Sequence, residues 1–533
     1  MPIKVVVAPQ IDFSGLRREL GLPGEFPAAV LSEAEESARV TPLPGVDRTG
    51  VEFVTLDPAS SRDLDQAVHL SRRAGGGYRV RYAIADVAAY VRPGGVLEAE
   101  SWARGQTVYL PDGRIPLHPP VLSEGAVSLL PDGDRAAVLW TIDLDGDGET
   151  VAVEVERARV RSRAKLDYVT VQRQIDAGTV PEPLALLPEI GALLARRAAE
   201  RGAVNLPLPS QEVERDGDGW RLVLRAPLPV EEHNAQISLL TGMAAARIML
   251  AGGIGLLRTM PAPKPEAVQT LRAAAGPLGV TWAAGASVGE VVASVDPSGP
   301  RGAAFLDQAA DLLRGAAYTA FGADAPSTPG SGTGARPETG DGGAGPGRGE
   351  PAEAGSGGPR GGRAGRAESA EAGSGRPRGG RGGAGVPAET GHGGVGAPYA
   401  HVTAPLRRLA DRYATEICLA LHAGRTVPDW AMEALTRLPK AMSSTDRVAS
   451  AADRGAIDLA EAVLLQGRVG EVFEAAVLDR DEPSGKRPAG GTIALDDPAV
   501  RAKCLGDLPL GSRIDVRLTA ADPVTRTVRF ERA

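Results

Sequence analysis

The sequence has few cysteines and no excess of positive charge. Its 533 residues include two cysteines, Cys418 and Cys504. Two are too few for a disulfide framework or a cysteine-rich zinc site, and they suit a reducing compartment, so we expect a cytoplasmic protein. The net charge is −8, which excludes a general electrostatic binder of nucleic acid. Any RNA-binding surface must therefore be a local concentration of basic residues.

Long apolar runs are also absent by inspection. We find no apolar run of 18 residues, the length that crosses a bilayer, and the first five residues lack the layout of a signal peptide. The sequence therefore predicts no membrane partner. Hydrophobic residues make up 43% of the chain, enough for a sizeable core, and the length predicts two or three domains.

Carboxylates are concentrated in one short segment. A β-branched, apolar stretch at 51–56 is typical of a strand, and Asp57, Asp63 and Asp65 follow within nine residues. Clustered carboxylates repel unless a cation or basic groups offset their charge. Because Mg²⁺ takes oxygen ligands, usually a few carboxylates plus substrate phosphate, the segment is a candidate magnesium site. The alternative is a solvated, aspartate-rich turn.

Further motifs follow in order along the chain. After the acidic run come 84–91 (IADVAAYV), 104–111 (RGQTVYLP), 399–408 (YAHVTAPLRR) and 452–454 (ADR). Together these segments resemble the signature of the RNB-domain exoribonucleases, the ribonuclease II and ribonuclease R superfamily. The resemblance covers about residues 48–533 except for one insert.

The resemblance implies an α+β fold. We expect an RNB catalytic domain at 48–464, with mixed sheet and helices around a central RNA channel, and an OB/S1-like β-barrel at 465–533. Long members of the family begin with small cold-shock barrels, whereas here a helical lead at 1–47 stands in that place. Short strand-like segments after residue 465 agree with a small barrel. Its aromatic residues are only Phe473 and Phe530, which weakens a base-stacking role for that barrel.

The resemblance also implies an activity and its residues. The expected reaction is Mg²⁺-dependent (Mn²⁺ is a possible substitute) 3′→5′ hydrolysis of single-stranded RNA to nucleoside 5′-monophosphates. Protein partners are not predictable. The candidate metal ligands are Asp57, Asp63, Asp65 and Gln66. The candidate catalytic residues are Asp65, Arg407 and Asp453. The candidate RNA-binding residues are Tyr109, Tyr399, His401, Arg407 and Arg408.

The two adjacent arginines have a physical rationale of their own. Pro405 precedes them, which suits the first turn of a helix capped by Thr403. A guanidinium near a helix N-terminus is well placed to bind phosphate. For Arg408 the alternative is a salt bridge to Asp411, and for His401 it is a structural role.

Two departures from the family pattern bear on activity. Gln66 stands where the family has a fourth aspartate, and Asp453 stands where it has a glutamate. An amide oxygen offers a metal no charge, so one metal site should be weaker. A catalytically weak or inactive RNA-binding protein is therefore the main alternative function.

Two further segments have alternative interpretations. Residues 323–397 are rich in Gly, Ala, Pro, Ser and Arg, and this composition predicts a disordered insert. Its Arg-Gly-Gly pieces indicate either RNA binding or a neutral flexible loop. Residues 143–154 match the calcium-loop pattern of EF-hands, which would suit a calcium-responsive interaction protein. Because both flanks read as strands, a hairpin turn is the preferred interpretation.

Overall fold

Helices and strands alternate in mixed order in the computed structural model, which describes residues 11–204, 206, 210–297, 299–322, 387, 389–481 and 488–533. The helices are α1 (Ser14–Glu19), α2 (Ala28–Val40), α3 (Val87–Tyr90), α4 (Val96–Arg104), α5 (Tyr168–Asp176), α6 (Leu187–Glu200), α7 (Pro229–Gly252), α8 (Pro265–Ala275), α9 (Val288–Ala293), α10 (Pro300–Ala310), α11 (Leu409–His422), α12 (Asp429–Leu435) and α13 (Leu438–Leu465).

The strands fall into two barrels and several hairpins. They are β1 (Phe53–Asp57), β2 (Gln66–Arg72), β3 (Tyr78–Ala85), β4 (Val108–Leu110), β5 (Gly113–Ile115), β6 (Asp134–Leu144), β7 (Thr150–Asp167), β8 (Ser210–Asp216), β9 (Gly219–Arg225), β10 (Gly255–Thr259), β11 (Ala317–Phe321), β12 (Gly391–His392), β13 (Ala397–Pro398), β14 (Val472–Asp481), β15 (Gly490–Leu495), β16 (Arg501–Leu505), β17 (Arg513–Asp522) and β18 (Thr527–Arg532). The mixture confirms the α+β class.

The first barrel carries the acidic segment. Its strands follow the order β1-β2-β3-β6-β7, and a parallel pairing of β1 with β7 closes it. In that pairing Asp57 lies opposite Asp167. Because β1 ends at Asp57 and the adjacent β2 begins at Gln66, the aspartates occupy the loop at one end of the barrel.

The barrel strands are buried on both faces. Large side chains such as Val54, Val68 and Tyr82 belong to a core shared with α7 and α11. Their neighbours Ala67 and Ala83 belong to a second core, shared with α2 and α4. Side chains alternate between faces along a strand, so the alanines of β2 and β3 face one helical layer and their larger neighbours the other.

Helix α7 bears on the prediction about membranes. By length and composition alone it is apolar enough to cross a membrane, although polar residues such as Arg247 interrupt its apolar sequence. Half of that apolar window is buried within the protein. Its side chains Ile237, Leu240 and Met249 lie in the main core, which is the ordinary reason for an apolar helix of this length.

The C-terminal strands close a second barrel, in the order β14-β15-β16-β18-β17. Phe473 and Phe530 are buried inside it, edge to face, with ring centroids 5.8 Å apart. They are therefore core residues rather than a stacking surface. The first strand of this barrel begins at Val472, after a 3₁₀ turn at Gln466–Arg468.

Other local predictions meet mixed outcomes. Helices α1 and α2 form within the lead at 1–47, and strand β3 ends at Ala85 so that 87–90 of the IADV motif are helical. The insert prediction for 323–386 lies outside the described residues. Its C-terminal limit at 397 is too late, because β12 and β13 pair at 391–398. The domain boundaries themselves stay predictions.

The EF-hand-like segment is a hairpin turn between β6 and β7, as preferred from the sequence. Its first would-be ligand, Asp143, is paired with Arg73 and Arg79. Asp145 accepts backbone N–H bonds inside the turn, and Glu154 contacts His422. The helices that an EF-hand requires are replaced by strands, so calcium binding has no structural support here.

Candidate functional site

The loop at 58–65 is held from both sides. Lys165 donates to two loop carbonyls at 2.7 and 2.5 Å. On the other side the Ser128 hydroxyl donates to the carbonyl of Arg62 and accepts the amide of Leu64, at 2.7 and 3.0 Å. These bonds fix the direction of the loop, and with it the three aspartates.

Asp65 is the most deeply buried of the three. Its side chain is 8% exposed, and its Oδ1 accepts the backbone amide of Leu406 at 2.7 Å. Burial raises its pKa well above the ordinary value, against the opposing effects of Arg407 and of the Leu406 amide. The Arg407 Nε lies 3.9 Å from Oδ2, so this oxygen and the guanidinium face each other. The structure therefore brings Asp65 and Arg407 together, as predicted.

Asp57 carries an oxygen without a partner. Its Oδ2 is buried and accepts no hydrogen bond from the described part of the chain. Burial raises the pKa of Asp57 to about 6, while Arg407 and Lys165 lower it and Asp63 raises it. A buried, unsatisfied carboxylate oxygen is costly and calls for an explanation, of which an ion is one.

Asp63 is engaged by two groups from one hairpin. Arg114 on β5 donates to its Oδ1 at 2.5 Å, and the Tyr109 hydroxyl on β4 lies 3.4 Å from its Oδ2. Arg114 also pairs with Glu124 at 2.5 Å. Tyr109 is 50% exposed, so one face of its ring is free to contact a ligand. The sequence analysis missed Arg114, although its place across the hairpin from Tyr109 was a usable signal.

Gln66 does not act as a ligand in this arrangement. Its Oε1 accepts the Tyr82 hydroxyl at 2.6 Å, and its Nε2 donates to the carbonyl of Thr403 at 2.6 Å. Both ends of the amide are thus committed, and Gln66 joins the barrel to the 399–408 segment. The expectation that Gln66 completes the metal site is not supported by these contacts.

The 399–408 segment corrects the helix prediction. Helix α11 begins at Leu409 rather than at Pro405, and no side chain caps it. Residue 408 is extended because its backbone forms a bridge with Gln106, and the carbonyl of Arg407 accepts the amide of Thr107 at 3.0 Å. Thr403 instead contacts Ser238, with the two hydroxyl oxygens 2.8 Å apart.

The two arginines have different environments. Arg407 is 46% exposed and faces the aspartates. Arg408 forms two hydrogen bonds of 2.9 Å with Asp411, whose side chain is fully buried. That pairing raises the pKa of Arg408 against the effect of burial. Arg408 is therefore structural here, which is the alternative interpretation, and only Arg407 is available to a phosphate.

Tyr399 is buried and His401 is half-buried. Their rings meet edge to face at 5.4 Å, and Nδ1 of His401 lies 2.7 Å from the Tyr318 hydroxyl. Burial lowers the pKa of His401 well below its ordinary value, and the nearby arginines lower it further. The RNA-binding roles predicted for these two residues are not supported by their burial.

Asp453 lies on α13, away from the aspartate loop. It lines a cavity of about 450 Å³ with Asp307, Ile457 and Arg501, next to the C-terminal barrel. Its neighbour Arg454 lines a different cavity of about 520 Å³, together with Arg258 and Tyr318. The structure thus does not bring Asp453 to the aspartate loop.

The donor set for a metal ion is incomplete as it stands. Among the residues that the structure describes, no three carboxylate, histidine or cysteine side chains form a metal-binding group. Asp57, with its unpartnered oxygen, and Asp65 both interact with Arg407, and such buried carboxylates suit a divalent cation because added positive charge offsets the cost of their burial. Asp63 and Gln66 are committed to other partners.

Comparison with known proteins gives two domain matches. Residues 46–314 match the RNB domain, and residues 471–533 match the RNase II-type exonuclease C-terminal S1 domain. The human exosome complex exonuclease RRP44 is 30% identical over 232 residues, which are 42% of this chain and 24% of that protein. Ribonuclease R of Escherichia coli is 29% identical over 249 residues, 44% of this chain and 30% of that protein. The chain thus matches less than a third of the length of either relative.

Solved structures share the fold. The apo form of Mycoplasma genitalium RNase R has a TM-score of 0.74 at 16% identity, covering 98% of this chain and 77% of that one. Yeast Ssd1, a pseudonuclease, has a TM-score of 0.61 at 15% identity, covering 93% of this chain and 53% of that one. At these identities the likeness shows the fold alone, and both a nuclease and a pseudonuclease carry it.

Proposed function

The chain belongs to the RNB-domain exoribonuclease family, and from that premise we propose that it hydrolyses single-stranded RNA from the 3′ end in the presence of Mg²⁺, releasing nucleoside 5′-monophosphates. The single observation that carries the proposal is the convergence of Asp57, Asp65 and Arg407 at one end of the first barrel. Two buried carboxylates beside an exposed guanidinium suit a phosphodiester that carries negative charge.

Each group has a distinct part in this proposal. Asp57 and Asp65 would hold the divalent ion, for which Mn²⁺ is a possible substitute. A bound divalent ion lowers the pKa of water and offsets charge on phosphate oxygens. Arg407 binds a non-bridging oxygen of the scissile phosphate, and the half-exposed ring of Tyr109 stacks on the terminal base.

The bonds changed in the reaction define its products. The oxygen of water attaches to phosphorus, and the 3′-oxygen of the penultimate nucleotide leaves with a proton. The protein's contribution is to fix the phosphate between the carboxylates and Arg407, since positioning accounts for much of the barrier in such displacements. The 2.7 Å bond from Leu406 to Asp65 keeps that carboxylate aimed at the site.

A second candidate function is RNA binding without turnover. The committed contacts of Gln66 and Asp63 favour it, because they leave fewer free ligands than a metal-dependent nuclease needs. In both functions single-stranded RNA is the proposed partner. A cytoplasmic location stays a prediction from the scarcity of cysteine.

A time course on 5′-labelled single-stranded RNA separates the two. The full chain is incubated with Mg²⁺, Mn²⁺ or EDTA, beside the variant Asp65→Asn. The control variant is Asp311→Asn, which changes an exposed aspartate that pairs with Arg314 three residues later. Metal-dependent shortening from the 3′ end that is lost only in Asp65→Asn establishes the nuclease. Tight RNA binding without shortening under any metal establishes the binding protein.

A further inference from the structure

Three basic groups surround the three aspartates of the loop. Arg114 contacts Asp63 at 2.5 Å, and Arg407 lies 3.9 Å from Asp65. Lys165 donates to the carbonyls of Ala59 and Ser61 in the same loop at 2.7 and 2.5 Å. Three basic side chains thus stand around the three aspartates before any metal ion is considered, and one of them, Arg114, is shared with Glu124.

The negative charges of the three aspartates are balanced to different degrees by their neighbours. Asp63 is engaged at both oxygens, by a guanidinium and by a phenol. Asp57 has an oxygen with no partner in the described residues, and Asp65 has one oxygen that meets Arg407 only at 3.9 Å. Gln66, the remaining position of the acidic run, is neutral and engaged at both ends. Free ligand oxygens are therefore concentrated at Asp57 and Asp65.

Arg114 is itself fixed in place. It is a half-buried residue of β5, and its second nitrogen pairs with Glu124 at 2.5 Å, which keeps the guanidinium at Asp63. A guanidinium stays charged at any ordinary pH, so its effect on Asp63 is permanent. A divalent ion approaching Asp63 must displace this group or accept its repulsion.

We propose that Arg114 occupies the place of a second cation at Asp63, so that the site takes one divalent ion, held by Asp57 and Asp65, instead of two. The inference rests on the proposed metal-dependent function and specifies the stoichiometry of its site. Arg114 acts through Asp63 and is a positioning residue. The positive charge of Arg114 explains why Asp63 is present in the loop although no second metal ion is expected there.

The test counts bound ions rather than turnover. The full chain, stripped with EDTA, is titrated with Mn²⁺, and free Mn²⁺ is read by electron paramagnetic resonance. The wild-type protein is expected to bind one ion. Arg114→Gln is expected to bind a second ion, or the first about tenfold more tightly, the size of effect that a neighbouring charge has on a carboxylate. Arg114→Lys, which keeps the charge, should resemble the wild type.

The matched control is Arg17→Gln. Arg17 lines a surface cavity together with Arg114, but it is paired with Asp112 instead of Asp63. It should leave the ion count unchanged. If Arg114→Gln does not fold, Asp63→Asn gives the same answer, since the inference requires its ion count to stay at one. Loss of the ion in Asp63→Asn overturns the inference.

The remaining outcomes separate the inference from the function on which it rests. Two ions in the wild type, or no change in Arg114→Gln, overturn the inference while metal binding persists. Absence of Mn²⁺ binding by every variant overturns the metal-dependent function itself, and the inference with it.

Discussion

The amide of Leu406 donates a 2.7 Å hydrogen bond to the Asp65 carboxylate across 341 positions of sequence. Two of the motifs that identify the family thus meet through one backbone-to-side-chain bond. Arg407, the next residue along, reaches its place beside Asp65 because this bond fixes the turn before it. The relationship leads to predictions about activity and about stability.

Arg407→Gln should slow RNA shortening by about 10²–10³-fold, the loss typical of one charge-stabilising donor. Single-turnover rates on a labelled oligonucleotide measure it, and circular dichroism should show an unchanged fold because Arg407 is half-exposed. The control is Arg92→Gln, which changes an exposed arginine in the connection between α3 and α4. Equal rates for wild type and Arg407→Gln would contradict the role of this guanidinium.

Gln66 and Tyr82 should be energetically coupled. Gln66→Leu leaves the buried Tyr82 hydroxyl and the Thr403 carbonyl without partners, at a cost of about 1–3 kcal/mol in the free energy of unfolding. Tyr82→Phe removes the other partner, so the double variant should lose less than the sum of the two single losses. Urea unfolding of all four proteins measures the coupling, and strict additivity would show that the 2.6 Å contact contributes nothing.

Asp57 should make the metal-free protein less stable as pH rises. Its folded-state pKa of about 6 exceeds the ordinary 3.8, so the folded protein holds this proton where the unfolded chain has lost it. Stability from this group is therefore present below about pH 4 and is lost as pH rises through 6. In EDTA at pH 8, Asp57→Asn should raise the free energy of unfolding by about 3 kcal/mol, and at pH 4 it should change little. A gain that does not vary with pH would disprove the titration.

Glu461 provides a second pH-dependent test, at the contact between α13 and the C-terminal barrel. This buried carboxylate accepts the Gln211 side chain and the Arg501 amide at 2.9 and 2.8 Å, and burial raises its pKa to about 7. By the same sign, its contribution is lost as pH rises through 7. Glu461→Gln keeps both hydrogen bonds, so thermal unfolding should show a stabilised variant at pH 8.5 and a nearly neutral one at pH 5. Destabilisation at pH 8.5 would mean that the charge itself is needed.

Local pattern was enough to predict part of the structure. The strand predicted to end at Asp57 does end there, and apolar residues at helical spacing mark the helices Leu187–Glu200, Pro229–Gly252 and Pro265–Ala275. These elements follow from apolar spacing, which is a property of neighbouring residues. The family resemblance likewise predicted the RNB domain and the C-terminal barrel, and the domain matches and the strand order confirm both.

The errors arose where distant residues decide. Pro405 and Thr403 suggested a helix start, but residues 405–407 form a turn and the pairing of Arg408 with Gln106 keeps Arg408 extended, so that the helix begins at Leu409. Gln66 was expected at a metal because of its position in the acidic run of the family, whereas its partners Tyr82 and Thr403 lie on other elements and give no local signal. The pair between Arg408 and Asp411, three residues apart, was open to sequence reasoning as an alternative.

The short strand β10 contacts the chain on both sides of the segment 323–390. Phe321 pairs with Gly255 at one end of β10. Just past the other end, the carbonyl of Gly391 accepts the amide of Met260. Arg258, between them, donates its amide to the carbonyl of Tyr399 at 2.8 Å. Both ends of the segment 323–390 are thus anchored at one strand, so a change in the length of that segment, which for loops in general costs about 0.6 kcal/mol per doubling, leaves the Tyr399 backbone in position.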